Sequence, residues 1–174
     1  GKVMKLTTGM VEQVSVSPKF GLVYQALKDK LSIFGNYMNG FINVAPVTVS
    51  DVDGSNPRLQ TFDPEQANQY EFGAKSSFLN GKISATASYY NILVKNRVMT
   101  DPENQNNSIQ RGEVESKGFE LSVVANPVNG LNIIAGFSDN QSEVLKDNPG
   151  DGYLGYRPEE AGPSQLANLW INYS

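Results

Sequence analysis

Apolar and polar residues exchange places every second position along most of this chain, the period of a strand with one greasy face and not of a helix. Over residues 14–26 the even set reads Val14, Val16, Pro18, Phe20, Leu22, Tyr24, opposed by Ser15, Ser17, Lys19, Gly21, Val23, Gln25. Residues 31–43 repeat the pattern with Leu31, Ile33, Tyr37 and Phe41 in phase, although Phe34, Met38 and Ile42 blur the polar side. Tyr70, Phe72 and Ala74 oppose Glu71, Gly73 and Lys75, and Ile83, Ala85, Ala87 and Tyr89 oppose Lys82, Ser84, Thr86 and Ser88. Further alternating runs begin at Phe119, Leu131 and Ala167. Seven strands are expected. One run slips: after Tyr89 the apolar set moves to Tyr90, Ile92 and Val94, as a β-bulge would produce.

The connections alternate as well. Residues 27–30, 79–82 and 127–130 are short, and Asn80-Gly81 and Asn129-Gly130 predict type I′ turns with both central residues at positive φ. Residues 45–68, 100–107 and 142–164 are longer and polar. Tight turns on one rim and long loops on the other are the habit of outer-membrane barrels. Alternation alone equally describes a soluble β-sandwich. Two observations favour the barrel wall. Tyr24, Phe41, Tyr70 and Tyr89 sit near strand ends, as an interfacial girdle needs, and the opposite face is small and polar. Aromatics also favour strands in general.

Composition removes other classes. A net charge of −4 offers no basic stripe for nucleic acid. With neither cysteine nor histidine, disulfides, thiolate sites and the commonest general base are missing together. No window reaches the roughly 18 apolar residues of a membrane helix, and no secretion leader is visible. Glu113/Glu115 and Glu159/Glu160 lack a base, nucleophile or cofactor cradle nearby, so neither an enzyme nor a cofactor is expected.

From Ser17 to Val144 the residues resemble TonB-dependent siderophore receptors of the ferrichrome type. Ser17-Pro18 with Gly21-Leu22-Val23-Tyr24-Gln25 resembles one strand of that family, and Leu31-Ser32-Ile33 through Phe41 the next. Phe62-Asp63-Pro64-Glu65 and Gln69-Tyr70-Glu71-Phe72-Gly73-Ala74-Lys75 follow in order, then Ser84-Ala85-Thr86, Tyr90-Asn91-Ile92 and Asn96. Asp101-Pro102, Gly112-Glu113-Val114, Ser116-Lys117-Gly118-Phe119-Glu120 and Gly130-Leu131-Asn132 complete the series. The resemblance implies an all-β antiparallel meander, part of a plugged transmembrane barrel of about 22 strands. It implies a partial barrel over residues 1–174 with the plug domain absent from this chain. It also implies uptake of a ferric siderophore or other scarce nutrient, with energy delivered through TonB to the missing N-terminal region. Outer-membrane lipid would surround the wall. A passive porin-like segment and a soluble β-sandwich binding module are the competing readings.

Several side chains are singled out. Glu71, Lys75 and Glu120 are expected to face a hydrated lumen, and Gly112 and Gly118 to allow close approach of neighbours. Asp51-Val52-Asp53-Gly54-Ser55-Asn56 superficially resembles a calcium loop, but its glycine falls at position 4 and position 12 is Phe62. Asp147-Asn148-Pro149-Gly150-Asp151-Gly152 reads as a loop tip. Tyr153, Tyr156 and Arg157 would suit an anionic, aromatic iron chelate through stacking and charge; loop packing at the barrel mouth is the plainer reading. Seven strands cannot close a wide barrel, so the isolated segment is expected to self-associate.

Overall fold

The computed structural model describes residues 2–4, 16–147, 152–158 and 161–174. Its main feature is one seven-stranded antiparallel sheet. The strands are β2 (Lys19–Leu27), β3 (Leu31–Ile42), β6 (Glu65–Phe78), β7 (Ile83–Asp101), β8 (Asn104–Ala125), β9 (Leu131–Lys146) and β10 (Gln165–Tyr173). They pair as consecutive wall strands, in the order β10-β9-β8-β7-β6-β3-β2. A separate sheet, β1-β5-β4, joins β1 (Lys2–Met4), β4 (Val47–Val49) and β5 (Arg58–Thr61). The all-β meander of seven wall strands is as the alternation indicates. A sandwich it is not: the wall is a single layer.

Cross-strand partners share a face, and facing alternates along each strand. Phe20 pairs with Tyr37 and Tyr37 with Tyr70. Phe72 pairs with Tyr89 and Tyr89 with Phe119, two residues along the same strands. Leu121 lies between Ala87 and Phe137, and Ala125 pairs with Ile133. Phe20, Tyr70, Phe119 and Ile133 therefore occupy one face, together with Tyr24, Phe41 and Tyr89; Tyr70 and Tyr89 lie well inside β6 and β7 rather than near strand ends, so the expected girdle does not include them. That face is bare: Leu22 is 75% exposed, Phe72 61% and Leu169 66%. A soluble globule of 19.0 kDa would expose about 8,400 Å², whereas this chain exposes 11812 Å². Water does not tolerate a large contiguous apolar face. Hydrocarbon does.

The other face is polar and notched. Asn36, Glu71, Tyr90, Gly118 and Asn140 form one cross-strand row, and Ser32, Lys75, Thr86, Ser122 and Gly136 another. Glu71 and Lys75 thus face inward as expected, and the Asn36 amide donates to Glu71 at 3.0 Å. The expected bulge after Tyr89 is absent. The ladder from Ile83 to Val94 is uninterrupted, and the register shifts instead between Val94 and Arg97, where Asn96 has φ 60°. Tyr90 is an inward-facing aromatic seated over Gly118, where a Cβ would lie 2.7 Å from its hydroxyl. No slip is needed to place it.

Four boundaries differ from expectation. Val14 and Ser15 lie outside the described residues, and β2 begins only at Lys19 because Pro18 lacks an N–H for the ladder. Pro18 still contributes its carbonyl to Asn39 N–H at 2.9 Å, and the Ser17 hydroxyl bonds the Asn39 carbonyl at 2.8 Å. Residues 100–107 are not a loop: β7 and β8, of 19 and 22 residues, are joined by Pro102-Glu103 alone. A tilted strand crosses a bilayer in about 9–11 residues, so this hairpin stands about ten residues clear of it. Residues 45–68 hold β4, β5 and the start of β6 rather than irregular chain. β9 runs to Lys146, which shortens the last connection to 147–164.

The turns also differ in detail. Asn80 (φ 57°) and Gly81 (φ 87°) are left-handed as expected, but so is Leu79 (φ 50°). The Lys82 N–H bond to the Leu79 carbonyl at 3.3 Å closes the expected turn around Asn80-Gly81, and a second bond, from Gly81 N–H to the Phe78 carbonyl at 3.1 Å, closes an overlapping turn around Leu79-Asn80. In Asn129-Gly130 only Gly130 (φ 84°) is left-handed, so that turn is not type I′.

Candidate functional site

The turns after β2, β6 and β8 gather at one end of the wall; at the other lie the two-residue β7–β8 connection and the elaborated connections after β3 and β9. At the elaborated end the β1-β5-β4 sheet leans on β8. The Gln60 amide donates to the Ser108 carbonyl at 2.9 Å, the Asn104 amide to the Ser50 carbonyl at 2.9 Å, and the Gln110 amide to the Asp63 carbonyl at 2.6 Å. Val49 (1% exposed) and Phe62 (4%) are the most buried apolar side chains among the described residues. The polar run Asn104–Asn107 is strand because its amides serve these partners.

The Asp51–Asn56 turn is already satisfied from within. Asp51 accepts from the Asn56 amide at 2.8 Å and from Arg58 at 3.1 Å, and these two donors hold its carboxyl below the usual carboxylate range. Ser55 does the same for Asp53 through its side chain and its N–H. These oxygens close a turn. Of the other turn-rich stretch, residues 148–151 lie outside the described residues, while Asp147 accepts from Tyr153 N–H at 2.9 Å.

A pocket of about 270 Å³ lies at the elaborated end of the inward face. Its floor is Gly112, Val114 and Val144; Arg97, Met99 and Lys146 rise beside it; Tyr153, Arg157 and Pro158 close it from the last connection. Gly112 admits Met99, whose sulfur would lie 2.7 Å from a Cβ there. Lys146 is paired with Glu113 at 2.7 Å. Of the three residues singled out in the sequence, Tyr153 and Arg157 line this pocket. Tyr156 does not; its side chain is 67% exposed.

Arg157 is held by the wall itself. One guanidinium nitrogen donates to the Asn140 carbonyl at 3.0 Å, the other to the Asn140 side-chain oxygen at 2.9 Å and to the Gly162 carbonyl. Asn140 spends its amide on the Tyr90 hydroxyl at 2.7 Å and on Ser116 at 2.8 Å, and Ser142 donates to its oxygen at 2.8 Å. Sequence reasoning missed Asn140, Arg97 and Met99. Ser138, Asn140 and Ser142, small polar residues at period 2, were the available signal for the first.

A family model described as TonB dependent receptor-like, beta-barrel, matches residues 6–174. The chain is 28% identical over 180 residues to the ferric-pyoverdine M114 receptor PbuA of Pseudomonas sp. (strain M114), covering 100% of this chain and 20% of that protein. It is 29% identical over 113 residues to the ferrichrome outer membrane transporter/phage receptor of Escherichia coli (strain K12), covering 65% of this chain and 15% of that one. Among solved structures, BauA, the ferric preacinetobactin receptor from Acinetobacter baumannii, superposes with a TM-score of 0.70 at 27% identity, over 90% of this chain and 22% of that one. The chain spans about a fifth of the length of the relatives it matches.

Proposed function

The chain belongs to the TonB-dependent receptor-like β-barrel family, and from that premise we propose that it is a stretch of outer-membrane barrel wall in a receptor for a ferric siderophore. The complete receptor would bind the chelate outside and pass it through a plugged barrel of about 22 strands, with energy drawn from TonB through parts of the receptor beyond this segment. Relatives named for ferric pyoverdine, ferrichrome and preacinetobactin support a chelate cargo. The observation that carries the reading is the two-sidedness of the sheet. One face is apolar and exposed, and the other holds Glu71, Lys75 and Glu120, charges that hydrocarbon would reject and a wet lumen accepts. Transport, not catalysis, is the role.

Deleting the receptor gene from an iron-starved host is expected to abolish uptake of one ferric chelate from a panel, and removing TonB alone to do the same. Uptake that survives loss of TonB would mark a passive pore instead. The segment alone has two open edges and a bare apolar face, and in water it is expected to self-associate. Sedimentation velocity without detergent checks this; a stable monomer would contradict it.

A further inference from the structure

Beyond Asp139, which pairs with Gln165, β9 loses its neighbour β10. The segment Gly152–Pro158 takes over that edge. Val144 N–H donates to the Tyr156 carbonyl at 2.9 Å, and Gly155 N–H to the Val144 carbonyl at 2.9 Å. Besides these two backbone bonds at an exposed edge, the strap is fastened near its start by Tyr153 N–H on Asp147 at 2.9 Å. The Arg157 fork on Asn140 adds charge-assisted bonds, which are about twice as strong as neutral ones. Both partners of that fork are fixed: Asn140 is locked from below by Tyr90, Ser116 and Ser142.

We propose that Asn140 is the positioning residue for this strap. Through Arg157 it holds Tyr153 and Pro158 as the outer wall of the inward-face pocket, and cargo reaches the pocket only when the fork lets go. Arg157 is then a latch before it is a cargo contact. The occupant it fits is an apolar or aromatic group whose negative charge Arg157 would take up: Met99, Val114, Val144 and Tyr153 supply apolar walls, while of the other charges on the lining Lys146 is held by Glu113 and Arg97 is accompanied by Asp147. An anion entering the pocket would compete with the Asn140 oxygens for the guanidinium, so cargo itself would loosen the strap. This rests on the transport reading, which makes the pocket part of a lumen open to the exterior.

The chain has no cysteine, so Val114→Cys on the pocket floor gives one reporter within this segment, introduced into the complete receptor with any other accessible thiol removed. The probe is sulfonatoethyl methanethiosulfonate, an anionic reagent that does not cross membranes, added from outside. Asn140→Ala is expected to speed labelling by about tenfold or more, the scale of losing hydrogen bonds to a charged group. Arg157→Ala, which leaves the wall untouched, should match it, and the double variant should be no faster than either single. Asn140→Asp keeps an acceptor for the fork and is expected to stay near the parent rate, a rescue that mere loosening of the wall would not give. A parent-like rate for both Asn140→Ala and Arg157→Ala, or additive effects in the double variant, would overturn the latch alone. If Val114→Cys were unreachable from outside in every variant, the open lumen would fall, and the latch with it.

Discussion

Leu121→Arg is expected to destabilise the receptor in a phospholipid bilayer by about 2–4 kcal/mol, the cost of a cation on the lipid face near mid-membrane. Leu121 sits between Ala87 and Phe137 in the middle of the apolar face, with Phe119 and Val123 two residues to either side. An arginine there has no inward partner and nowhere to snorkel without thinning the membrane. The neighbouring Ser122→Arg points the same side chain into the lumen, between Thr86 and Gly136. It is expected to cost about 0.5 kcal/mol or less, the scale of a solvated surface change. Urea titration of the two variants in vesicles measures the difference. Equal costs would mean that the two faces meet the same solvent.

Gly73→Ala is the second large effect, and its origin is steric. A Cβ at Gly73 would stand 2.5 Å from the Ala87 carbonyl oxygen and 2.6 Å from Cζ of Phe34, whose ring lies across it. The ring can turn, but the carbonyl belongs to the β6–β7 ladder and cannot retreat without breaking pairing. Overpacking of this kind costs about 1–3 kcal/mol. Combining Gly73→Ala with Phe34→Ala is expected to recover only part of that, because the backbone contact remains. A double-mutant cycle on thermal unfolding reads the coupling. Full recovery would assign the whole cost to the ring, and no cost for Gly73→Ala would show that the wall bends freely there.

The wall itself was readable because period 2 is a direct record of facing. Phe119, Leu121, Val123 and Ala125 alternate with Gly118, Glu120 and Ser122, and the ladder keeps them in that order. What misled was a residue whose chemistry disagrees with its side. Tyr90 is aromatic yet faces inward, so the pattern mimicked a bulge; the notch at Gly118 that seats it is a three-dimensional fact. The Asn104–Asn107 run failed for a related reason. Asparagines signal a loop when water is their partner, but here their amides serve Ser50, Asp51 and Asp101. Tyr153 and Arg157 were picked out by residue type alone, and their convergence on one pocket depends on a strap whose partner, Asn140, lies 17 residues from Arg157 in sequence.

The central claim is that each wall strand touches hydrocarbon on one side and a wet lumen on the other. Spin labels placed singly from Phe119 to Ala125 in the bilayer-embedded receptor test it most directly. Collision with oxygen, which dissolves in lipid, should peak at positions 119, 121, 123 and 125. Collision with a water-soluble nickel chelate should peak at 120, 122 and 124. Two profiles rising and falling together, or flat along the strand, would contradict the account.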